Sequence, residues 1–390
     1  MTLVDDPAIR IEGWTAPGFE GARQAFEANF HREGDYRELG AALAAFHRGR
    51  LVVDLWGGWA DRAKTRPWTR DTLINVWSAT KGAVAVAVAR LVDQGLLSYE
   101  TPVVDVWPAF GQAGKGAITV AQVMSHQAGL PGFAEPTTLD DQLDWDGCVA
   151  KLERQAPLWP PGTASSYHAM TYGWLAGEIV RRVTGRGIGR YLAEEIAAPL
   201  EADIHIGLPA SFESRVAEIV GPAVAPDPAA LAALPPSALM ALANPGQDPE
   251  SPNHPAWRAA EIPAANGHAS AMGLARLYGA LVSGELQGRQ ILSRQAIARM
   301  VQPAGPPDRI DMFLGFTDCW SMGMALNRPG IYGDNPEAYG HSGWGGAFGC
   351  ADPAAEVAIG YVCNRMGPEL VGDPRTAGLC RAILGGAQSL

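Results

Sequence analysis

Runs of basic residues and long apolar stretches are both missing from this sequence. Its 30 lysines and arginines are outnumbered by 41 aspartates and glutamates, which gives a formal net charge of −11. The absence of a basic run argues against nucleic acid or an anionic membrane surface as a partner. No stretch of about 18 apolar residues exists, so no transmembrane helix is predicted. The first residues, MTLVDDPAIRIEGW, lack the basic and apolar segments of a signal peptide, which favours a cytoplasmic location.

Cysteine is scarce, and several common catalytic motifs are absent. The five cysteines form no CxxC pair, so we expect reduced, mostly buried thiols: Cys148, Cys319, Cys350, Cys363 and Cys380. Because neither an HEXXH motif nor an acidic metal loop occurs, no metal or cofactor is predicted. The segment 340–344, GHSGW, lacks the final glycine of a GxSxG elbow, which argues against an α/β-hydrolase.

The periodicity of the chain changes along its length. Residues 41–58 are interpreted as a helix end, a turn at Gly49 and a strand, and a second strand is expected near residues 73–77. Residues 78–97 combine alternating valines with alanines and continue to Gly95, which favours a buried helix over a strand. Further helices are predicted at 118–126 (with Thr119 as its cap), 171–185, 188–200, 269–284 and near the C-terminus. Residues 221–265 are expected to form a long loop with short helical turns.

The C-terminal segments FLGFTDCWSMGMAL, GAFGCADP and EVAIGYVCNR have the composition of successive antiparallel strands. Pairing them with the N-terminal strands gives an α+β fold: an antiparallel sheet built from both chain ends, flanked by helices, with a mostly helical insertion. We therefore expect an α/β domain from residues 1–77 and 266–390, and a mostly helical domain from 78–265. A ligand would bind in the cleft between them.

Ser78-Ala79-Thr80-Lys81 forms an SxxK motif. If the helix begins at Ser78, the serine and the lysine share one helix face, and the amine can reach the hydroxyl. The helix N-terminus would favour an alkoxide and an oxyanion. SxxK by itself often occurs by chance at the solvent-exposed start of a helix. Here the lysine lies at the start of a buried helix that follows a strand, and this placement favours a catalytic role.

Tyr167 follows the loop Pro160-Pro161-Gly162 and precedes the helix from Thr171. Most tyrosines are simply packed aromatics with a hydrogen-bonded hydroxyl. The alternative is a general base, because an ammonium group on Lys81 would favour the phenolate.

Three glycines lie within His341-Ser342-Gly343-Trp344-Gly345-Gly346, at the head of the C-terminal strands. They allow close backbone approach to a ligand. A plain glycine-rich hairpin is an equally good interpretation of this segment by itself.

Taken together, VVDLWGGWADR, VWSATKG, VMSHQAGLPG, PPGTASSYHAM and HSGWGG resemble the serine β-lactamase and penicillin-binding-protein superfamily, in its family VIII carboxylesterase branch. The resemblance implies that Ser78 is the acylated nucleophile, that Lys81 assists its deprotonation and that Tyr167 shuttles a proton. It also implies an oxyanion hole from the backbone N–H of Ser78 and one near Trp344, with His341, Ser342 and Gly343 beside the substrate. His126 is interpreted as structural.

Two positions depart from the lactamase pattern: Ala169 replaces the asparagine of Tyr-x-Asn, and His341 replaces a lysine. Both lower the expectation of β-lactamase activity, and Trp344 adds an apolar surface. The sequence therefore predicts a carboxylesterase for small short-chain esters. The alternatives are a β-lactamase, D-amino-acid peptidase or amide hydrolase of the same fold, and a non-catalytic binder. The oligomeric state is not predicted.

Overall fold

Strands from both ends of the chain pair in one antiparallel sheet. A computed structural model describes residues 9–223, 229, 233–317 and 319–389. The strands are β1 Ile11–Thr15, β2 Gly40–His47, β3 Arg50–Gly58, β4 Ile74–Asn75, β5 Ile204–His205, β6 His268–Ala269, β7 Ala325–Leu326, β8 Tyr339–Ser342, β9 Phe348–Asp352 and β10 Val357–Cys363. Seven of them form a sheet in the order β1-β3-β2-β10-β9-β8-β7. The pairing of β2 with β10 joins the two chain ends, as the sequence predicts.

The alanine-rich segment GAALAAFH forms β2, not the helix end expected from its composition. Each of its residues is buried, because β2 lies between β3 and β10 and both of its faces are covered. Tertiary pairing overrides the helix propensity of alanine here. The turn expected at Gly49 is present, with Arg48 and Gly49 both at positive φ.

Helices cover both faces of the sheet. They are α1 Glu20–Asn29, α2 Thr80–Asp93, α3 Val103–Val106, α4 Val120–Met124, α5 Trp145–Arg154, α6 Thr171–Thr184, α7 Ile188–Leu192, α8 Ala198–Leu200, α9 Pro236–Ala243, α10 Pro255–Ala259, α11 Ala271–Ser283, α12 Arg294–Met300 and α13 Pro374–Gln388. On one face, α1 and α13 pack on the side chains of Leu43 and Ile359. On the other, α2 and α11 pack on Ala42 and Ala358.

Helix α2 is apolar on all sides and lies inside the molecule. Eleven of its fourteen residues are buried, and the one-turn 3-10 segment Trp77–Ala79 precedes it. The prediction of a buried helix from the alanine–valine run is confirmed. Thr119 caps α4 with a capping box, and Gly185 ends α6 in the left-handed conformation.

Two segments differ from the prediction. Of the strand expected in FLGFTDCWSMGMAL, the described residues contribute β7 alone. Residues 311–317 form a turn instead, because the Asp311 carboxylate accepts the backbone N–H groups of Phe313 and Leu314. The expected strand near residues 73–77 is shortened to β4, which belongs to a separate three-stranded sheet with β5 and β6.

The region predicted as a loop with helical turns contains α9 and α10, while residues 224–228 and 230–232 lie outside the described residues. All five cysteines are buried, and no disulfide joins them. None of the helices in the described part of the chain has the length and hydrophobicity that a transmembrane span requires. The division into domains at residues 78 and 266 stays a prediction.

Candidate active site

Ser78 lies in the tight turn between β4 and α2. Trp77, directly before it, has a φ of +44°, a strained conformation for a bulky residue. Asn75 holds this turn, because its Oδ1 accepts the Trp77 N–H at 3.1 Å and its Nδ2 donates to the Ala265 carbonyl at 2.8 Å. The turn therefore presents Ser78 at the head of α2. The sequence analysis did not identify Asn75, whose role depends on the distant residue Ala265.

Lys81 lies one helical turn beyond Ser78 and is inaccessible to solvent. Its Nζ is 2.7 Å from the Ala169 carbonyl, 2.8 Å from the Ala264 carbonyl and 3.0 Å from Ser78 Oγ. As an ammonium, Lys81 donates to all three oxygens; as a neutral amine, it donates to the two carbonyls and its lone pair accepts the Ser78 hydroxyl. Burial lowers the pKa of Lys81 well below its ordinary value, which favours the neutral form.

Tyr167 lies on the connector between α5 and α6, as predicted, and its ring centroid is 4.8 Å from Lys81 Nζ. A side-chain hydrogen bond joins it to Ser78. Burial opposes the expected phenolate, because it raises the pKa of Tyr167. The same burial lowers the pKa of Lys81 and so disfavours its ammonium form.

Asp311 fixes the position of Tyr167 from behind. Its buried carboxylate accepts the Tyr167 backbone N–H at 3.2 Å and the Trp320 indole N–H at 2.8 Å. The Trp320 ring in turn stacks on Tyr167, with 5.3 Å between centroids and 4° between planes. The sequence analysis missed both Asp311 and Trp320, because they lie about 150 residues from Tyr167 and no local pattern marks them.

Strand β8 brings the glycine-rich motif to the same place. A Cβ on Gly343 would lie 2.1 Å from the Val76 carbonyl oxygen, so the end of β8 touches the turn that carries Ser78. Trp344 packs on Trp77, with ring centroids 5.2 Å apart. The predicted residues of this motif therefore adjoin Ser78, and glycine is required at 343 for that approach.

His341 is a neutral imidazole in this structure. Its Nδ1–H donates to the Ser342 carbonyl at 2.9 Å, and burial lowers its pKa to about 3. The Ser342 hydroxyl lies 3.0 Å from the Tyr332 hydroxyl. Neither His341 nor Ser342 therefore provides the positive charge that would bind a substrate carboxylate.

His126 is structural, as the sequence analysis expects. Its Nδ1 accepts the His168 backbone N–H at 3.1 Å, and its carbonyl accepts the Ser166 N–H at 3.2 Å. These bonds tie the α4–α5 segment to the connector that carries Tyr167. Among the described residues, no group of three or more histidine, cysteine or acidic side chains could hold a metal ion.

The arrangement has the parts that acyl transfer needs: a hydroxyl, a buried amine within hydrogen-bond distance of it, and a phenol hydrogen-bonded to the same hydroxyl. The Beta-lactamase family model matches residues 23–379. The chain belongs to the beta-lactamase family. It is a serine hydrolase of that family.

Similar proteins carry esterase and penicillin-binding names. The chain is 39% identical over 389 residues to the esterase/beta-lactamase LipL of Mycobacterium tuberculosis (strain ATCC 25618 / H37Rv), covering 94% of this chain and 86% of that protein. A family VIII carboxylesterase structure matches with a TM-score of 0.89 and 44% identity, over 96% of this chain and 99% of the other. A penicillin-binding protein homologue from Caulobacter crescentus has a TM-score of 0.88 and 44% identity, over 97% of this chain and 100% of that one.

One departure from the lactamase pattern has a structural counterpart in this family member. Where the family pattern has an asparagine side chain near the lysine, Ala169 offers its backbone carbonyl, which accepts a hydrogen bond from Lys81. The lysine therefore keeps an acceptor, although no side-chain amide is available at 169 for a β-lactam.

Proposed function

We propose that this chain is a carboxylesterase that hydrolyses small, short-chain esters through an acyl-enzyme on Ser78, with Lys81 and Tyr167 moving the protons. The observation that carries the proposal is the hydrogen bonding of Lys81. Its amine is buried and lies within hydrogen-bond distance of the carbonyls of Ala169 and Ala264 and, at 3.0 Å, of the Ser78 hydroxyl that it must deprotonate. Burial also lowers the pKa of Lys81, which favours the neutral amine that a general base requires.

In acylation, Ser78 Oγ bonds to the ester carbonyl carbon as its proton passes to Lys81. The carbonyl oxygen becomes an oxyanion that the backbone N–H groups of Ser78 and Trp344 stabilise. When the carbon–alkoxy bond breaks, the Tyr167 hydroxyl donates its proton to the leaving alkoxide and recovers one from Lys81. Water then attacks the acyl-enzyme, the same groups take its proton, and the Ser78 oxygen leaves and is reprotonated.

β-Lactam hydrolysis is the second candidate, because the relative from M. tuberculosis carries both activities in its name. Neutral His341 and the absence of a side-chain amide at Ala169 favour the ester. The same two residues favour ester hydrolysis over the D-amino-acid peptidase and amide hydrolase activities of this fold. The carboxylesterase structure with 44% identity also supports the ester.

The test compares p-nitrophenyl butyrate, p-nitrophenyl octanoate and nitrocefin, with Ser78→Ala as control. We expect the butyrate to have the highest kcat/KM and Ser78→Ala to lose about 10³-fold or more. Faster turnover of nitrocefin would favour the lactamase. Full ester turnover by Ser78→Ala would contradict the proposal. A fluorophosphonate that left Ser78 unlabelled would favour the non-catalytic binder.

A further inference from the structure

An apolar pocket opens from Ser78 on the side of Tyr167. Its cavity volume is about 30 Å³. Apart from Ser78 and Tyr167, its wall includes the apolar side chains Leu314, Phe316, Trp320, Leu326, Ile331 and Leu370. None of the described residues that line it is a lysine, arginine, aspartate or glutamate.

Several polar groups of the pocket pair within the protein. The Tyr332 and Ser342 hydroxyls lie 3.0 Å apart, and the Nδ1–H of His341 donates to a carbonyl. The Nε2 atom of His341, a residue of the pocket wall, is buried and has no hydrogen-bond partner among the described residues. The pocket therefore offers a substrate an uncharged, apolar surface and no strong site for a carboxylate.

The position of the pocket decides which half of an ester it faces. Three groups border the reacting carbonyl: Ser78 in its turn, Tyr167 on its connector and Trp344 after β8. The oxyanion belongs at Ser78 and Trp344, and the leaving oxygen belongs at Tyr167, which donates the proton. The pocket includes both Ser78 and Tyr167 in its wall and does not include Trp344. It therefore lies on the Tyr167 side of the nucleophile, next to the leaving oxygen.

We propose that this pocket is the subsite for the alcohol part of the ester, so the substrate class is short-chain acyl esters of apolar, uncharged alcohols. This inference rests on the proposed function. On the opposite side, Trp77 packs between Trp257 and Trp344, with ring centroids 5.7 and 5.2 Å away. This packing restricts the acyl chain, whereas the apolar wall of the pocket matches an alkyl or aryl alcohol.

Two isomeric esters separate the halves of the substrate. Butyl acetate and ethyl butanoate have the same atoms and nearly equal hydrophobicity, but they carry the longer chain on opposite sides of the ester. The kcat/KM of each is measured by acid release and divided by its rate constant for hydroxide hydrolysis. We expect a preference for butyl acetate of roughly tenfold, which is the effect of burying two more methylene groups.

Ala325 lies in the pocket wall, so Ala325→Phe fills the subsite. We expect this variant to lose the preference for butyl acetate while keeping most of its activity on ethyl butanoate. Ile331→Trp fills the same pocket from another segment of the chain. It replaces Ala325→Phe in the test if that variant does not fold. Ala354→Phe is the matched control, because Ala354 is exposed on the turn after β9.

A wild-type preference for ethyl butanoate would overturn the inference and leave the esterase intact. An equal loss on both esters in the filled variants, with normal unfolding temperatures and an unaffected Ala354→Phe, would also overturn it. If neither ester is hydrolysed faster than by Ser78→Ala, the proposed function itself fails.

Discussion

Burial shifts the pKa values of the titratable side chains around Ser78 toward their uncharged forms. Burial lowers the pKa of Lys81 and of His126 well below their ordinary values, and it lowers that of His168 to about 4. Tyr167 is shifted in the opposite direction, because burial disfavours a phenolate. Both shifts favour an amine that can accept a proton and a phenol that can donate one.

The pH dependence of acylation tests the state of Lys81. Because burial depresses the pKa of Lys81, we expect kcat/KM for p-nitrophenyl butyrate to reach its plateau at a lower pH than a lysine of ordinary pKa would allow. A lysine with the usual pKa of about 10.4 would instead give a rate that rises about tenfold per pH unit from 7 to 9. That rise would contradict the proposed base. Lys81→Arg, whose guanidinium stays protonated, should lose about 10³-fold or more across the range.

Close contact between elements aligns the site. Strand β8 touches the 3-10 turn at Ser78 through the backbone of Gly343, with no side chain between them. Arg375, at the start of α13, donates to the Gly345 carbonyl at 2.6 Å and so holds the turn after β8 from behind. Trp344 lies between Gly343 and Gly345, the residues that make these two contacts. A change at either contact should therefore displace the backbone N–H of Trp344.

Gly343→Ala tests this contact. The added Cβ would lie 2.1 Å from the Val76 carbonyl oxygen, so β8 must move away from the Ser78 turn. We expect kcat to fall about 10²-fold, the usual effect of losing one oxyanion donor. Gly385→Ala in α13, where a Cβ meets nothing within 4 Å, is the control. Wild-type kcat in a folded Gly343→Ala protein would show that the contact does not set the geometry.

A buried charged group joins the two ends of the chain. Arg375 lies between the Glu38 and Asp373 carboxylates, 3.2 Å from the first and 2.7 Å from the second, and the Tyr361 hydroxyl donates to Glu38. One guanidinium cannot neutralise two buried carboxylates. Burial raises the pKa of Glu38 to about 7, although Arg375 opposes the shift.

Stability should therefore depend on pH through Glu38. The folded protein holds this proton more tightly than the unfolded chain does. The stabilisation is complete below the ordinary pKa of about 4.5 and is lost as the pH rises to about 7. We expect the unfolding free energy of the wild type to fall by on the order of 1 kcal/mol between pH 5 and 7.5. Glu38→Gln should abolish this decrease.

Urea unfolding at several pH values measures this decrease, with exposed Glu337→Gln as the control. Equal pH dependence in the wild type and Glu38→Gln would show that Glu38 ionises normally in the fold.

The sequence by itself determined the local features. Spacing places Ser78 and Lys81 on one helix turn, the alanine–valine run predicts a buried α2, and turn residues delimit the C-terminal strands. Contacts between distant segments were decided by the tertiary structure alone. They make β2 a strand despite its alanines, bring Asp311 and Trp320 to Tyr167, and open the pocket beside it. The pKa shifts of Lys81 and Tyr167 were also decided by the tertiary structure. Desolvation depends on all the atoms packed around a group, whereas residue spacing shows only its neighbours along the chain.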